Sequence, residues 1–312
     1  MAHSPDWPVI SQTILQRERW PGYLRSYRQV TSLVRPGQEV LPDQPISRLE
    51  KGTMAGSIQA APVTLPAGLR GRVVDVTHRG GVVIESYGAM LQGALGAGRQ
   101  VAGVLTIWQD PTRASSPPVI PPGALLVVPG PLSFSLLRQA QRSGVAGIIA
   151  SSIALSDLEG FLRTDFIQLL ETPDVELAQS RLPDLTLLLT EGLGTITMPT
   201  SGINFLNRYR GSIALLSGIT SQRYHIVPEL IISFPAQQQR DPSQIVPPDL
   251  MLTLGAQVRV CAGEYIGLIG LIDYFFVYEQ VFPSGIRARA LRIRREDGSF
   301  IKVPVTHVKR LG

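Results

Sequence analysis

Gly255-Ala-Gln-Val-Arg-Val-Cys-Ala-Gly-Glu-Tyr-Ile-Gly-Leu-Ile-Gly-Leu-Ile272 can fold in few ways. Val258 and Val260 lie on one side of a glycine-rich turn, and Leu268, Leu271 and Ile272 on the other. Apolar residues at strand spacing on both sides of such a turn predict a strand, a tight reversal and a second strand. The glycines stand where a side chain would obstruct the turn.

The chain after this hairpin keeps the strand period. Tyr274-Phe-Phe-Val-Tyr278 reads as an aromatic strand, and Ile286-Arg-Ala-Arg-Ala-Leu-Arg-Ile-Arg294 alternates apolar and basic residues. Arg287, Arg289, Arg292 and Arg294 cannot all share one face, because a parity shift falls between Arg289 and Arg292. A bulge or bend near Leu291 would reconcile them. Asp297-Gly298 predicts a hairpin turn, and the run from Lys302 to Arg310 supplies a last strand and a basic tail. Together these elements predict a five-stranded barrel of the SH3-like kind over residues 251–312.

The Gly255–Ile272 pattern resembles the KOW motif, the hallmark of small β-barrels in NusG-type elongation factors and some ribosomal proteins. The resemblance implies contact with RNA, ribosomes or polymerase, and seldom catalysis. On that reading Arg287, Arg289, Arg292, Arg294 and Lys302 meet phosphates while Tyr274 and Tyr278 stack on bases. The competing reading is that Tyr274–Tyr278 fills the barrel core and the arginines solubilise an exposed strand.

Two proline-rich, polar stretches divide the rest: Pro111–Pro122 and Ala236–Pro248. They separate a segment 1–108, a segment 109–235 and, after a linker at 236–250, the barrel. In the first segment, turn glycines precede apolar strand residues again and again: Gly37 before Val40, Gly71 before Val73 and Val74, Gly81 before Val83 and Ile84, Gly98 before Val101. This recurrence resembles the barrel-sandwich hybrid of biotinyl and lipoyl carrier domains over about Tyr27–Ile107. Lys51 sits near the place of a carrier lysine but two residues early, and Gly52–Pro66 inserts extra chain, so the fold is expected in a structural or docking role.

The middle segment changes period. Ala124–Val128, Val145–Ala150, Leu185–Leu189 and Gly211–Leu216 read as strands. Ser133–Ser143 (stopped by Gly144), a stretch capped by Asp157, and Ile203–Tyr209 read as helices. Alternating strands and helices predict a central α/β domain, so the expected fold class is multidomain α+β and β-rich. In such sheets ligands favour loops at the carboxyl ends of strands. That points to Glu191, Gly192, Gly194, Thr200 and Ser201, where a helix start could hold an anion, with Asp157 or Glu159 as a second carboxylate. Normal helix caps are the competing reading.

Composition narrows the function. Hydrophobic residues make up 44% and charged residues 17%, which is globular material, and the net charge of +5 favours acidic partners. Lys51, Lys302 and Lys309 are the only lysines, and Cys261 is the only cysteine. One cysteine rules out a disulfide within the chain and a multi-cysteine zinc site; it is expected to be a buried inert thiol. His3, His78, His225 and His307 are too scattered for a metal site. No nucleophile elbow or Walker-type loop occurs. No signal peptide or apolar run of about 20 residues is visible. The expectation is therefore a cytoplasmic, non-catalytic binding or scaffolding protein without cofactor, metal or membrane insertion, its partner an RNA, a ribonucleoprotein or another protein. The alternative is an enzyme or small-ligand sensor centred on Glu191–Gly202.

Overall fold

The computed structural model describes residues 9–20, 27–51, 62–108, 120–172, 174–175, 179, 182–221, 226–235, 252–260, 263–265, 268–295 and 297–310. Most of the connector expected at 111–122, the linker at 236–250, His3, His225 and Cys261 lie outside the described residues. The chain divides into two compact units, within 6–244 and within 245–312.

The larger unit opens with strands β1 (Val9–Arg19), β2 (Tyr27–Ser32), β3 (Glu39–Val40), β4 (Pro45–Lys51), β5 (Val63–Pro66), β6 (Gly71–Val76), β7 (Val82–Gln92), β8 (Leu95–Ala97) and β9 (Gln100–Ile107). β10 (Leu125–Val128), helix α1 (Phe134–Arg142), β11 (Gly147–Ile153), helices α2 (Leu155–Leu162) and α3 (Phe166–Glu171), β12 (Thr186–Leu193), helix α4 (Thr200–Arg208), β13 (Ile213–Ser217) and β14 (Glu229–Ser233) follow. Lys51, the residue nearest a carrier lysine's place, ends β4 and pairs with Tyr27.

β7 organises the first half. β1 pairs with it along its whole length, from Val9 opposite Gln92 to Arg19 opposite Val82. On its other flank β6 pairs with Val82–Glu85 and β14 with Gly88–Gln92. The split between β6 and β14 is bridged locally: Arg70 N donates to Ser233 Oγ at 2.8 Å, and Ser86 Oγ donates to the Arg70 carbonyl at 2.6 Å. The strands approach so closely that a Cβ at Gly88 would lie 2.4 Å from the Ile232 carbonyl oxygen. Leu15, Val73, Val82, Ile84 and Ile231 from this sheet share one core with Ile46 of β4, whose three-stranded sheet is β2-β4-β5.

Beyond β14 the sheet continues through β13, β9, β10, β11, β12 and β8. β9 pairs antiparallel with β13 and parallel with β10. The segments expected to divide at residue 108 therefore share one sheet and one compact unit. The proline-rich connector breaks the local pattern, but β13 and β14 return to lie between β7 and β9, a pairing no local pattern encodes.

β10, β11 and β12 run parallel in register, Leu126 opposite Ile148 and Ile148 opposite Leu187. Alternate residues Leu126, Val128, Ile148, Ala150, Leu187 and Leu189 pack under α1, α2 and α3. Leu125, Val127, Ile149 and Leu188 point the other way and are equally buried. A parallel sheet covered on both faces reads as a continuous apolar run for this reason. α1 begins as its sequence predicts, with Ser133 Oγ accepting from Leu136 N, and ends at Gly144 (φ 70°), where Gly144 N and Val145 N return to the Gln141 and Ala140 carbonyls.

The smaller unit contains β15 (Gln257–Val260), β16 (Ile269–Phe275), β17 (Gln280–Val281), β18 (Arg287–Ala288), β19 (Ala290–Arg294), β20 (Phe300–Pro304), a 3-10 turn at Val305–His307 and β21 (Val308–Arg310). Its antiparallel sheet has the order β20-β19-β16-β15-β21. β20 and β21 are opposite edges, yet only the 3-10 turn joins them. Four Cα steps reach at most about 15 Å, while four strand spacings in a flat sheet span about 19 Å. The sheet must curl, and it does so as a half-barrel around Val258, Val260, Ile272, Leu291, Ile293 and Val303.

The Gly255–Ile272 stretch forms the expected strand, turn and strand, with Val258 opposite Gly270. Gly270 has a second reason to be glycine: a Cβ there would lie 2.4 Å from Ile293 Cγ2 and 2.5 Å from the Arg294 carbonyl oxygen. Two expectations are modified. The aromatic strand stops at Phe275, leaving Val277 and Tyr278 outside it. The arginine run is two short strands interrupted at Arg289, because Ala290 and Leu291 are both buried and simple alternation cannot pass them. Among the described residues no helix is long and apolar enough to cross a membrane.

Candidate nucleic-acid interface

The outer face of the smaller unit follows from strand register. Leu271 lies opposite Arg294 and Tyr274 opposite Arg292; Arg292 in turn lies opposite Lys302 and Arg294 opposite Phe300. Asp273 is an extra residue on β16, and the register shift there lets Ile272 and Phe275 both reach the core. Tyr274 consequently faces outward.

Arg292 is the centre of this face. Its Nε donates to Asp273 Oδ2 at 2.7 Å, and its Nη2 pairs with the same oxygen. Its guanidinium carbon lies 4.7 Å from the Phe300 ring centroid and 5.6 Å from that of Tyr274. Tyr274 meets Phe276 edge-on at 5.2 Å. Tyr274 and Phe300 nevertheless remain 44% and 51% exposed. One arginine is thus fixed between two rings whose remaining surface is open to solvent.

The other candidates fall around it. Lys302 Nζ lies 5.4 Å from the Phe282 ring and donates to the Val281 carbonyl at 3.5 Å, linking β20 to the β17–β18 pair. Arg287 pairs with Val281 on that ladder, and the Arg289 carbonyl accepts from Val305 N. Arg287, Arg289 and Arg294 are exposed. Tyr278, 81% exposed, lies in the turn before β17. Tyr274, Arg292, Arg294 and Lys302 are therefore brought onto one face, with Arg287 one ladder away. Phe300, Phe282 and Asp273 complete the site and were missed. The two-residue alternation of Phe300 and Lys302 could have placed Phe300 there; the bulge at Asp273 has no such signal.

The second candidate site is arranged differently from its sequence expectation. Glu191 and Gly192 belong to strand β12 and not to a loop, with Gly192 (φ 83°) opposite Ser152. Three of the amides that follow are taken by the fold: Gly194 N donates to the Ile153 carbonyl, Ile196 N to Ser152 Oγ and Met198 N to the Pro129 carbonyl. Ser152 Oγ also donates to the Ile196 carbonyl at 2.8 Å, clamping the loop from both sides. Pro199 precedes α4 without a side-chain cap, so Thr200 and Ser201 lie inside the helix and do not cap it. Asp157 and Glu159 accept from the Phe134 and Phe166 amides, which fixes them as caps of α1 and α3. Among the described residues no cluster of three metal-ligating side chains occurs.

No protein-family model, curated protein or solved structure matches this chain.

Proposed function

We propose that the protein is a non-catalytic binding or scaffolding protein that contacts RNA or a ribonucleoprotein through the outer face of its C-terminal unit. The observation that carries this reading is Arg292, held between Tyr274 and Phe300 with both rings half open. Base–aromatic stacking needs a ring fixed in place with one face free, and neighbouring arginines supply phosphate contacts. Arg294 is exposed on the same face, Arg287 and Arg289 are exposed in the chain just before it, and Asp273, a carboxylate within the cluster, is engaged by Arg292. The curled five-stranded sheet and its glycine hairpin agree with a KOW-type SH3-like barrel. The two sheets around the Ile46–Ile84 core suit a barrel-sandwich hybrid serving as a docking module. A ligand site at Glu191–Gly202 has less support, since three of its loop amides bond within the fold.

Fluorescence anisotropy with a labelled single-stranded RNA over a range of salt concentrations tests the reading. Each lost phosphate contact should reduce the slope of log affinity against log salt by about 0.7 for a single strand. Arg287→Glu with Arg294→Glu should weaken binding and flatten that slope. Binding unchanged by both substitutions rejects the interface.

A further inference from the structure

The larger unit carries a separate basic groove, where α1 packs against α2. Its volume is about 690 Å³, and its walls include Phe134, Arg138, Arg142, Ser143 and Arg163. That volume suits a small organic ligand. Three guanidinium groups line it and, among the described residues, no carboxylate does.

The nearby carboxylates hydrogen-bond backbone amides. Asp157 accepts from Phe134 N at 3.2 Å, Glu159 from Phe166 N at 3.1 Å and Asp165 from Gln168 N at 3.0 Å, each serving a helix start. Among the described residues, none of the ion pairs includes Arg138, Arg142 or Arg163. Arg138 donates to the neutral Gln141 side chain, at 3.2 Å. Like charges converging in one concavity and held in no ion pair repel each other, and an anion relieves that cost.

The groove also has an apolar wall. Phe134 is 42% exposed although it opens a packed helix. Gly160 stands beside it, where a Cβ would make ordinary van der Waals contact with the ring edge at 3.8 Å. A polyanion alone uses the arginines and leaves the ring idle; a planar aromatic group bearing several phosphates uses both.

We propose that the α1–α2 groove binds a nucleoside polyphosphate, with the phosphates on Arg138, Arg142 and Arg163 and the base against Phe134. The site is independent of the RNA-contacting face and stands or falls apart from it. Isothermal titration of the full chain with ATP, and with tripolyphosphate as the base-free probe, tests it. ATP should bind saturably and more tightly than tripolyphosphate. Arg142→Gln with Arg163→Gln should weaken both at least tenfold while leaving the circular dichroism spectrum unchanged. Phe134→Ala should weaken ATP several-fold and spare tripolyphosphate, and Arg287→Glu with Arg294→Glu should alter neither. Absence of saturable ATP binding, ATP no tighter than tripolyphosphate, or ATP binding that survives loss of Arg142 and Arg163 would each overturn the proposal.

Discussion

Two sites, one in each compact unit, use arginine and aromatic residues in opposite ways. In the larger unit Arg19 is 2% exposed and, among the described residues, has no carboxylate partner: its Nε donates to the Pro66 carbonyl and its Nη1 to the Gln100 carbonyl, both at 3.2 Å. Four aromatic residues of the same unit close on one another. Phe205 meets Tyr209 at 5.1 Å, Tyr209 stacks on Phe234 at 5.6 Å and Phe234 meets Tyr87 at 5.6 Å, with Phe205, Phe234 and Tyr87 all buried. In the smaller unit the same residue types form Arg292, Tyr274 and Phe300, half open to solvent. Residue type does not decide the role; what closes over the residue does. A buried arginine joins strands, whereas an exposed one between rings is ready for a partner.

The sharpest way to break this contrast is at Arg19. Arg19→Ala removes the donors to two backbone carbonyls and leaves a cavity, an expected loss of about 3–5 kcal/mol in urea unfolding of the larger unit. Arg19→Met keeps most of the volume and should cost less than half of that. Burial, with help from the like charge of Arg99, lowers the Arg19 pKa to about 10. The folded value then lies below the unfolded one, so the unfolded chain holds the proton more tightly. The charge is a standing cost at neutral pH that lifts as pH rises through about 10 toward the ordinary arginine value. The stability gap between the natural chain and Arg19→Met should therefore shift in favour of the natural chain above pH 10. A gap independent of pH would mean Arg19 is not buried as a cation.

A smaller effect sharpens the same contrast in the other unit. Gly270→Ala forces a methyl against Ile293 and the Arg294 carbonyl, an overpacking cost of about 2–3 kcal/mol. Hydrogen exchange should show it as faster exchange in β15, β16 and β19 alone. Unaltered exchange would show that the half-barrel tolerates separation of β16 from β19. The smallest effect on stability is expected from Tyr274→Ala, within about 1 kcal/mol, although RNA affinity should fall by about 1–3 kcal/mol for one lost stacked base. A large stability loss with intact RNA binding would make Tyr274 structural and erase the distinction between the units.

Local order was legible because it is periodic. Ser133 and Gly144 marked α1, and the apolar runs at Leu125–Val128 and Leu185–Leu189 marked buried strands. What stayed hidden depends on partners distant in sequence. Asp157 reads as a cap, but nothing local says that it caps α1 and not its own helix. The arginine parity conflict announced an interruption near Leu291; the interruption lies at Arg289, with the compensating bulge on the neighbouring strand at Asp273. At the second site, Thr200 and Ser201 carry cap chemistry, but Pro199 already fixes the chain for helix entry and the caps go unused. The sharing of one sheet by β7, β14, β13 and β9 was invisible, because antiparallel pairing is set by which edge remains open.

That open edge has a consequence for synthesis. β7 leaves the ribosome with β1 and β6 already made, but the half of its flank from Gly88 to Gln92 waits for β14. β14 is the last described strand of its unit, and at about 5–20 residues per second the delay is on the order of ten seconds. Throughout that interval the strand presents unpaired amides and carbonyls beside the apolar Ala89 and Leu91. Premature termination before β14 would leave a truncated chain with a sticky edge, so nascent fragments of this protein should be prone to aggregate until the final strand seals them.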